Sequence, residues 1–250
     1  MLAIIGGTGL NQMPGLTQIR ELQISTDHAV KPVALTTGVL DGQPLCFLPR
    51  HGVGHRLPPH RINYRANIQA LKLAQATAVI AVNAVGGIHP EAGTGVISIP
   101  DQIIDYSWGR EHSFFNGDDE GVEHVDFTAP YDESLRQLLL QAAEEAGLAH
   151  WPRGVYACTQ GPRLETAAEI RRLKADGCDV VGMTGMPETG LAREARLPYA
   201  CLALTVNWGA GLSNEEITMA AIETVLAEGM VRVRQLLRLA VSQYVQAGPI

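Results

Sequence analysis

An α/β fold built on a mixed sheet is predicted by three features of the chain. Apolar runs of strand length alternate with helix-period segments from end to end. Several of those runs stop at glycine-rich turns, as strands in such folds commonly do. Asp41-Gly42 lies between two apolar runs and marks a tight hairpin, so the sheet is not purely parallel.

The expected strands fall at 2–6, 33–40, 43–49, 78–83, 96–100, 153–159, 179–183 and 199–206. Residues 132–146 read as a helix: Asp132 caps it, and Leu135, Leu138, Leu139, Ala142 and Ala146 share a face. Gly147 ends it. Ser213-Asn214-Glu215-Glu216 has capping-box spacing and opens a long helical pattern to about Tyr244, with a bend expected near Gly229. The least regular stretch, 105–131, is long enough for a lid or an oligomer contact. With no repeats, low-complexity tracts or linkers, residues 1–250 read as one domain.

A hydrophobic content of 46% with 18% charged residues is that of a soluble globular protein. The net charge of −7 carries no basic block, which argues against nucleic acid as a partner and leaves any anion to local groups. Cys46, Cys158, Cys178 and Cys201 are scattered, without C-x-x-C spacing, as suits a reducing compartment. No basic region precedes an apolar stretch at the N-terminus, and no apolar window approaches 18 residues. The expectation is a cytoplasmic protein without membrane contact.

Two distant stretches look built for one anion. Gly6-Gly7-Thr8-Gly9-Leu10 follows the apolar start Leu2-Ala3-Ile4-Ile5, and Arg50-His51-Gly52 follows Leu45-Cys46-Phe47-Leu48. A glycine turn after a strand frees backbone N–H groups, Thr8 adds a hydroxyl, and Arg50 adds a planar fork matched to phosphate oxygens. The glycine turn could also open a dinucleotide fold with Asp27 as the ribose acid. Gln12 stands where the third glycine belongs, however, and Pro14-Gly15 interrupts the crossover helix. His51 and His55 have metal-binding i, i+4 spacing, but Gly52, Gly54, Pro58 and Pro59 disfavour a helix there, so no metal site is expected.

Four further strand ends carry polar groups. Asn83-Ala84-Val85-Gly86-Gly87 follows a buried run, and Gln160-Gly161-Pro162-Arg163-Leu164-Glu165-Thr166 links a strand to a helix carrying Glu169. Val181-Gly182-Met183-Thr184 precedes Pro187, which suits a first helical turn. Asn207 ends the run Ala203-Leu204-Thr205-Val206, where a buried amide needs partners from protein or ligand. Read singly, each has an ordinary structural explanation: a turn, a helix-start carboxylate, a core methionine.

Taken in order, these motifs resemble the trimeric purine nucleoside phosphorylase and methylthioadenosine phosphorylase family. The likeness runs through Ile4-Ile5-Gly6-Gly7-Thr8-Gly9-Leu10, Arg50-His51-Gly52, His60-Arg61-Ile62-Asn63-Tyr64-Arg65-Ala66-Asn67, Gly161-Pro162-Arg163, Met183-Thr184 and Pro187-Glu188. It implies the nucleoside phosphorylase fold, a mixed and partly barrel-like sheet flanked by helices. It also implies phosphorolysis, with inorganic phosphate as co-substrate and no further cofactor.

By that resemblance Thr8, Arg50, His51, Asn83, Ala84 and Thr184 surround phosphate, while Met183 packs on the ribose. Asn83 departs from the threonine usual in the methylthio branch. Glu165 and Asn207 resemble the inosine/guanosine branch and suit a 6-oxopurine, whose N1–H a carboxylate can accept. Leu164 replaces the aromatic that usually stacks on the base. Met219 and Ile222 suit a thioether methyl, and His124 matches a histidine that reaches the 5′ region from a neighbouring subunit of a homotrimer. The combination points to 5′-methylthioinosine; the alternatives are a general 6-oxopurine phosphorylase, a methylthioadenosine phosphorylase and a noncatalytic nucleoside sensor.

Overall fold

The structure is a computed structural model, and it describes residues 1–7, 10, 14–115, 117 and 121–246, with side chains as far as residue 244. Its strands are β1 (Leu2–Gly6), β2 (Leu16–Ile24), β3 (Val33–Leu40), β4 (Gln43–Pro49), β5 (Ala78–Gly87), β6 (Ile97–Ser98), β7 (Gln102–Asp105), β8 (His150–Trp151), β9 (Val155–Cys158), β10 (Val180–Gly182) and β11 (Tyr199–Trp208). The helices are α1 (Tyr64–Leu73), α2 (Glu133–Glu145), α3 (Ala167–Ala175), α4 (Glu188–Glu194) and α5 (Met219–Gln246). All eleven strands join one mixed sheet in the order β2-β3-β4-β1-β5-β10-β9-β7, with β11, β6 and β8 branching from β5.

Alternation along β1 shows how the sheet is sandwiched. Leu2 and Ile4 face one core with residues of α2 and α5, while Ala3 and Ile5 face the other with residues of α1 and α4. Ile170 and Leu173 of α3 close a smaller third cluster. The expected hairpin is present: Leu40 pairs with Gln43, and Asp41 and Gly42 take positive φ of 51° and 81°, the conformation of a type I′ turn. Asp132 caps α2 by accepting from the Leu135 N–H.

Several elements differ from the sequence reading. β2 lies at the sheet edge, and its polar, mostly exposed residues carry no apolar alternation to reveal it. It pairs with β3 rather than β1, and the Asp27 carboxylate accepts from Gln69 on α1, so the dinucleotide topology is absent. β7 and β8 are short strands, unmarked by any apolar run. The last helix starts at Met219 rather than at Ser213, with the Thr218 hydroxyl accepting from the Ala221 N–H.

The sheet forks at β5, and the fork positions the site. Along one side β5 pairs with β11 from Val79 to Gly87. Along the other it pairs with β1 only as far as Ala81, and β10 joins only at Gly86. Between them, Val82–Val85 has no neighbouring strand on that side. Buried backbone polar groups require partners, so this gap demands side chains or ligand.

Candidate active site

The gap opens into a cavity of about 700 Å³, within the range of small-molecule sites. Its wall is drawn from the ends of β1, β4, β5, β10 and β11, the loop before α3, and one face of α5. Arg50, His51, Asn83, Ala84, Leu164, Glu165, Met183, Thr184, Asn207, Met219 and Ile222 all contribute to it. Thr8 lies outside the described residues, but its neighbours Gly7 and Leu10 line the same cavity. His124 is exposed and is not part of the wall of its own chain's cavity, so the structure does not unite it with the other predicted residues.

Arg50 is buried directly after β4, and its backbone N–H donates to the Gly6 carbonyl at the end of β1. Its Nη1 donates to the Val82 carbonyl at 2.8 Å, occupying the first open backbone position of the gap. Nε and Nη2 grip the two oxygens of Glu188 at 2.7 and 2.8 Å. Burial would lower the Arg50 pKa, but the Glu188 carboxylate outweighs it through charge and hydrogen bonding, and the guanidinium stays cationic. A guanidinium has five N–H groups, so about two remain for an anion in the cavity. The Tyr199 hydroxyl donates to Glu188 at 2.8 Å and completes the buried support.

Ala84 is the one exposed residue in the otherwise buried β5, because its side faces the cavity. Residues two apart in a strand aim their backbone groups the same way, so Ala84 turns its N–H to the gap side that Val82 faces. His51 stacks on His55 with ring centroids 4.1 Å apart, and its Nδ1 lies 2.8 Å from the Leu57 carbonyl. A carbonyl only accepts, so Nδ1 carries the proton. Burial, helped by the Arg50 charge, pushes the His51 pKa down to about 4.

At the other end of the cavity, the Thr159 hydroxyl donates to Glu165 Oε1 at 2.6 Å and leaves Oε2 available. Glu165 does not cap the helix start; Thr166 does, in a reciprocal capping box with Glu169. Asn207 follows a bulge: Thr205 pairs with Val85 and Asn207 with Gly86, leaving Val206 as the extra residue. A bulge breaks strict alternation and re-aims side chains, so the adjacent Val206 and Asn207 both reach the cavity. Asn207 Nδ2 donates to the Trp208 carbonyl at 2.7 Å, which leaves its carbonyl oxygen and one N–H. The apolar flank is a row on α5, Met219, Ile222, Leu226 and Met230, at helical spacing.

Arg110 was not legible as a site element, yet it ties the irregular loop to this end. It is buried and donates to the carbonyls of Thr159, Gln160, Met183 and Met186, with its guanidinium over the Tyr64 ring. The base of loop 105–131 is thereby anchored to the ends of β9 and β10. Glu188, Tyr199 and Thr159 were also missed as supports. Only Glu188 left a trace, as the acid that follows Pro187 in the matched motif.

A cleft in a mixed α/β sheet thus sets a buried arginine at one end, a carboxylate and an amide at the other, and an apolar helix face along its flank. The chain belongs to the Phosphorylase superfamily, which matches residues 1–242. It is an enzyme of the purine nucleoside phosphorylase type. A probable S-methyl-5′-thioinosine phosphorylase of Pseudomonas syringae pv. tomato is 56% identical over 232 residues, 93% of this chain and 94% of the relative. A 6-oxopurine nucleoside phosphorylase of Pyrococcus furiosus is 44% identical over 226 residues, covering 88% and 84%. Among solved structures, a methylthioadenosine phosphorylase from an antarctic soil metagenomic library superposes with a TM-score of 0.93 at 35% identity. That match covers all of this chain and 88% of the other. No helix among the described residues is long and apolar enough to cross a membrane.

Proposed function

We infer that the chain phosphorolyses S-methyl-5′-thioinosine to hypoxanthine and 5-methylthioribose 1-phosphate. The observation that carries this reading is the coexistence, in one cavity, of the Glu165–Asn207 end and the apolar α5 row. A purine with a 6-oxo group presents N1–H to the free Glu165 oxygen. Adenine presents a bare acceptor there, which a carboxylate repels. Asn207 offers its carbonyl oxygen to N7–H and its remaining N–H to the 6-oxo group. Met219 and Ile222 then face the methylthio group, and Leu164 lies against the base.

Phosphate is the nucleophile. It sits on Arg50, Thr184, the Ala84 N–H and the Thr8 hydroxyl, and Met183 packs on the ribose. The new bond joins a phosphate oxygen to C1′ as the C1′–N9 bond breaks, and the purine leaves with the electron pair. Positive charge grows on the ribosyl ring beside the phosphate, and negative charge spreads into the purine, which takes up a proton from solvent at N7; the new N7–H donates to the Asn207 carbonyl oxygen. Holding both reactants face to face supplies up to about 7–11 kcal/mol of the barrier lowering. His51 is neutral at pH 7 with its proton on Nδ1, so its other nitrogen meets a protonated phosphate oxygen. A homotrimer with His124 reaching the neighbouring 5′ region fits the same scheme, and the cytoplasm is the proposed location.

The relatives named for S-methyl-5′-thioinosine and for 6-oxopurine nucleosides support the base assignment, while the 5′ preference rests on the α5 row. The test is kcat/KM for methylthioinosine, methylthioadenosine and inosine, each with and without phosphate. Methylthioinosine should lead and should require phosphate. Faster adenine release refutes the base assignment, equal turnover of inosine makes the chain a general 6-oxopurine phosphorylase, and cleavage without phosphate refutes phosphorolysis.

A further inference from the structure

Three side chains, two on the adjacent strands β5 and β11 and one just past β10, form a chain of hydrogen bonds at the Arg50 end of the cavity. Cys201 Sγ on β11 donates to Asn83 Oδ1 on β5 at 3.5 Å, and Asn83 Nδ2 donates to Thr184 Oγ1 beyond β10 at 2.8 Å. All three are buried. Asn83 and Thr184 also line the cavity; Cys201 does not.

Each link has a direction, from thiol to amide oxygen and from amide nitrogen to hydroxyl. In this arrangement the thiol hydrogen is turned to Oδ1, which sets the amide oxygen on Cys201 and its nitrogen on Thr184. Burial holds the Cys201 thiol far above its ordinary pKa, so its proton stays in place. With Oδ1 on the thiol, the –NH₂ faces Thr184. A hydroxyl oxygen that receives an N–H keeps its own hydrogen for a different acceptor. The amide side is occupied by a donor, so the Thr184 O–H turns to the open side, where an anion is the natural acceptor.

We propose that Asn83 is a positioning residue for phosphate, acting with Cys201 to hold the Thr184 hydroxyl as a donor rather than contacting phosphate itself. This rests on the phosphorolysis described above and assigns Asn83 a different role from the direct contact that the family resemblance implies. The protein spends both ends of the Asn83 amide on its own groups, and Thr184 carries the contact with the oxygen of the nucleophile.

A double-mutant cycle on the full chain tests it. Initial rates of phosphorolysis give KM for inorganic phosphate and KM for the nucleoside in N83A, T184A and the double variant. N83A should raise the phosphate KM about 10-fold, the scale of one hydrogen bond to a charged group, with nucleoside KM changed less than about 2-fold. The double variant should match T184A alone. Effects that multiply would show that Asn83 touches phosphate independently and would overturn the proposal, as would an unchanged phosphate KM in N83A. N83D should be worse than N83A, because a carboxylate draws the Thr184 hydrogen to itself. Should the Asn83 variants fail to fold by circular dichroism, C201A serves. Its phosphate KM should rise about 2- to 3-fold in the parent and not at all in T184A, as expected for a weak donor that acts only through Thr184. No rise in the parent overturns the proposal. Cleavage by the unaltered chain without phosphate would defeat the functional reading itself, an outcome separate from these.

Discussion

Glu188 binds Arg50 through both carboxylate oxygens, at 2.7 and 2.8 Å, in a pair that solvent scarcely reaches. The pair neutralises one positive charge while leaving about two guanidinium N–H groups to an incoming anion. Removing one partner of such a pair strands the other in a poorly solvated site, typically at a cost of about 3–5 kcal/mol. E188Q should therefore lower stability by about that amount in chemical denaturation and raise the phosphate KM. E188D should keep most of both. A variant as stable as the parent would show that Arg50 is supported chiefly by the Val82 carbonyl.

His51 gives the chain an acid-sensitive component of stability. Its folded pKa of about 4 lies below the ordinary value of about 6.5, with burial the main cause. Between those values the unfolded chain binds a proton that the folded chain does not. The stability contributed is complete above pH 6.5 and is lost as pH falls towards 4. Urea midpoints between pH 4 and 7 should fall more steeply for the parent than for H51Q; parallel curves would count against the assignment.

Base selection should follow two side chains. N207D replaces the amide proposed to serve a 6-oxo group with a carboxylate suited to accept from a 6-amino group. The ratio of 6-oxopurine to 6-aminopurine kcat/KM should fall by at least about 100-fold, within the range that mismatched hydrogen bonding commands. Adding E165Q, which removes the charge facing N1, should lower it further. An unaltered ratio would place base recognition elsewhere.

Gly161 has a φ of +61°, and a methyl group there would collide with Met183 Sδ. G161A should displace the surface proposed to pack on the ribose. The expected result is a nucleoside KM raised about 10-fold or more with little change in phosphate KM, since small misplacements of positioning groups are costly. Equal effects on both constants would point to general disorder of the loop.

The parts of the fold that announced themselves in sequence were those with unmixed signals. β1, β3 and β4 are apolar runs with a turn dipeptide between the last two, and α2 carries its cap and stop. β2 was silent because an exposed edge strand has no buried face to imprint alternation. The start of α5 was misread because Ser213 and Glu216 have the right spacing for a box that the chain forms elsewhere, at Thr166 and Glu169. Most of the residues that line the cavity were recognisable as a set, since the glycine turns and the Arg-His-Gly and Met-Thr motifs occur in order. Their supports were not. Glu188 entered only as part of the Pro187-Glu188 motif, and nothing local links it to an arginine 138 residues earlier. Asn83 shows the same limit: the family resemblance implied a phosphate contact there, while its bonds to Cys201 and Thr184 emerge only from the folded chain.

The fork at β5 leaves Val82–Val85 as a stretch of missing weave on one side, which the reactants are expected to mend. Occupancy and cohesion are then one quantity measured two ways. Saturating phosphate should slow amide hydrogen exchange along Val82–Val85 far more than in the continuous β5–β11 pairing beside it.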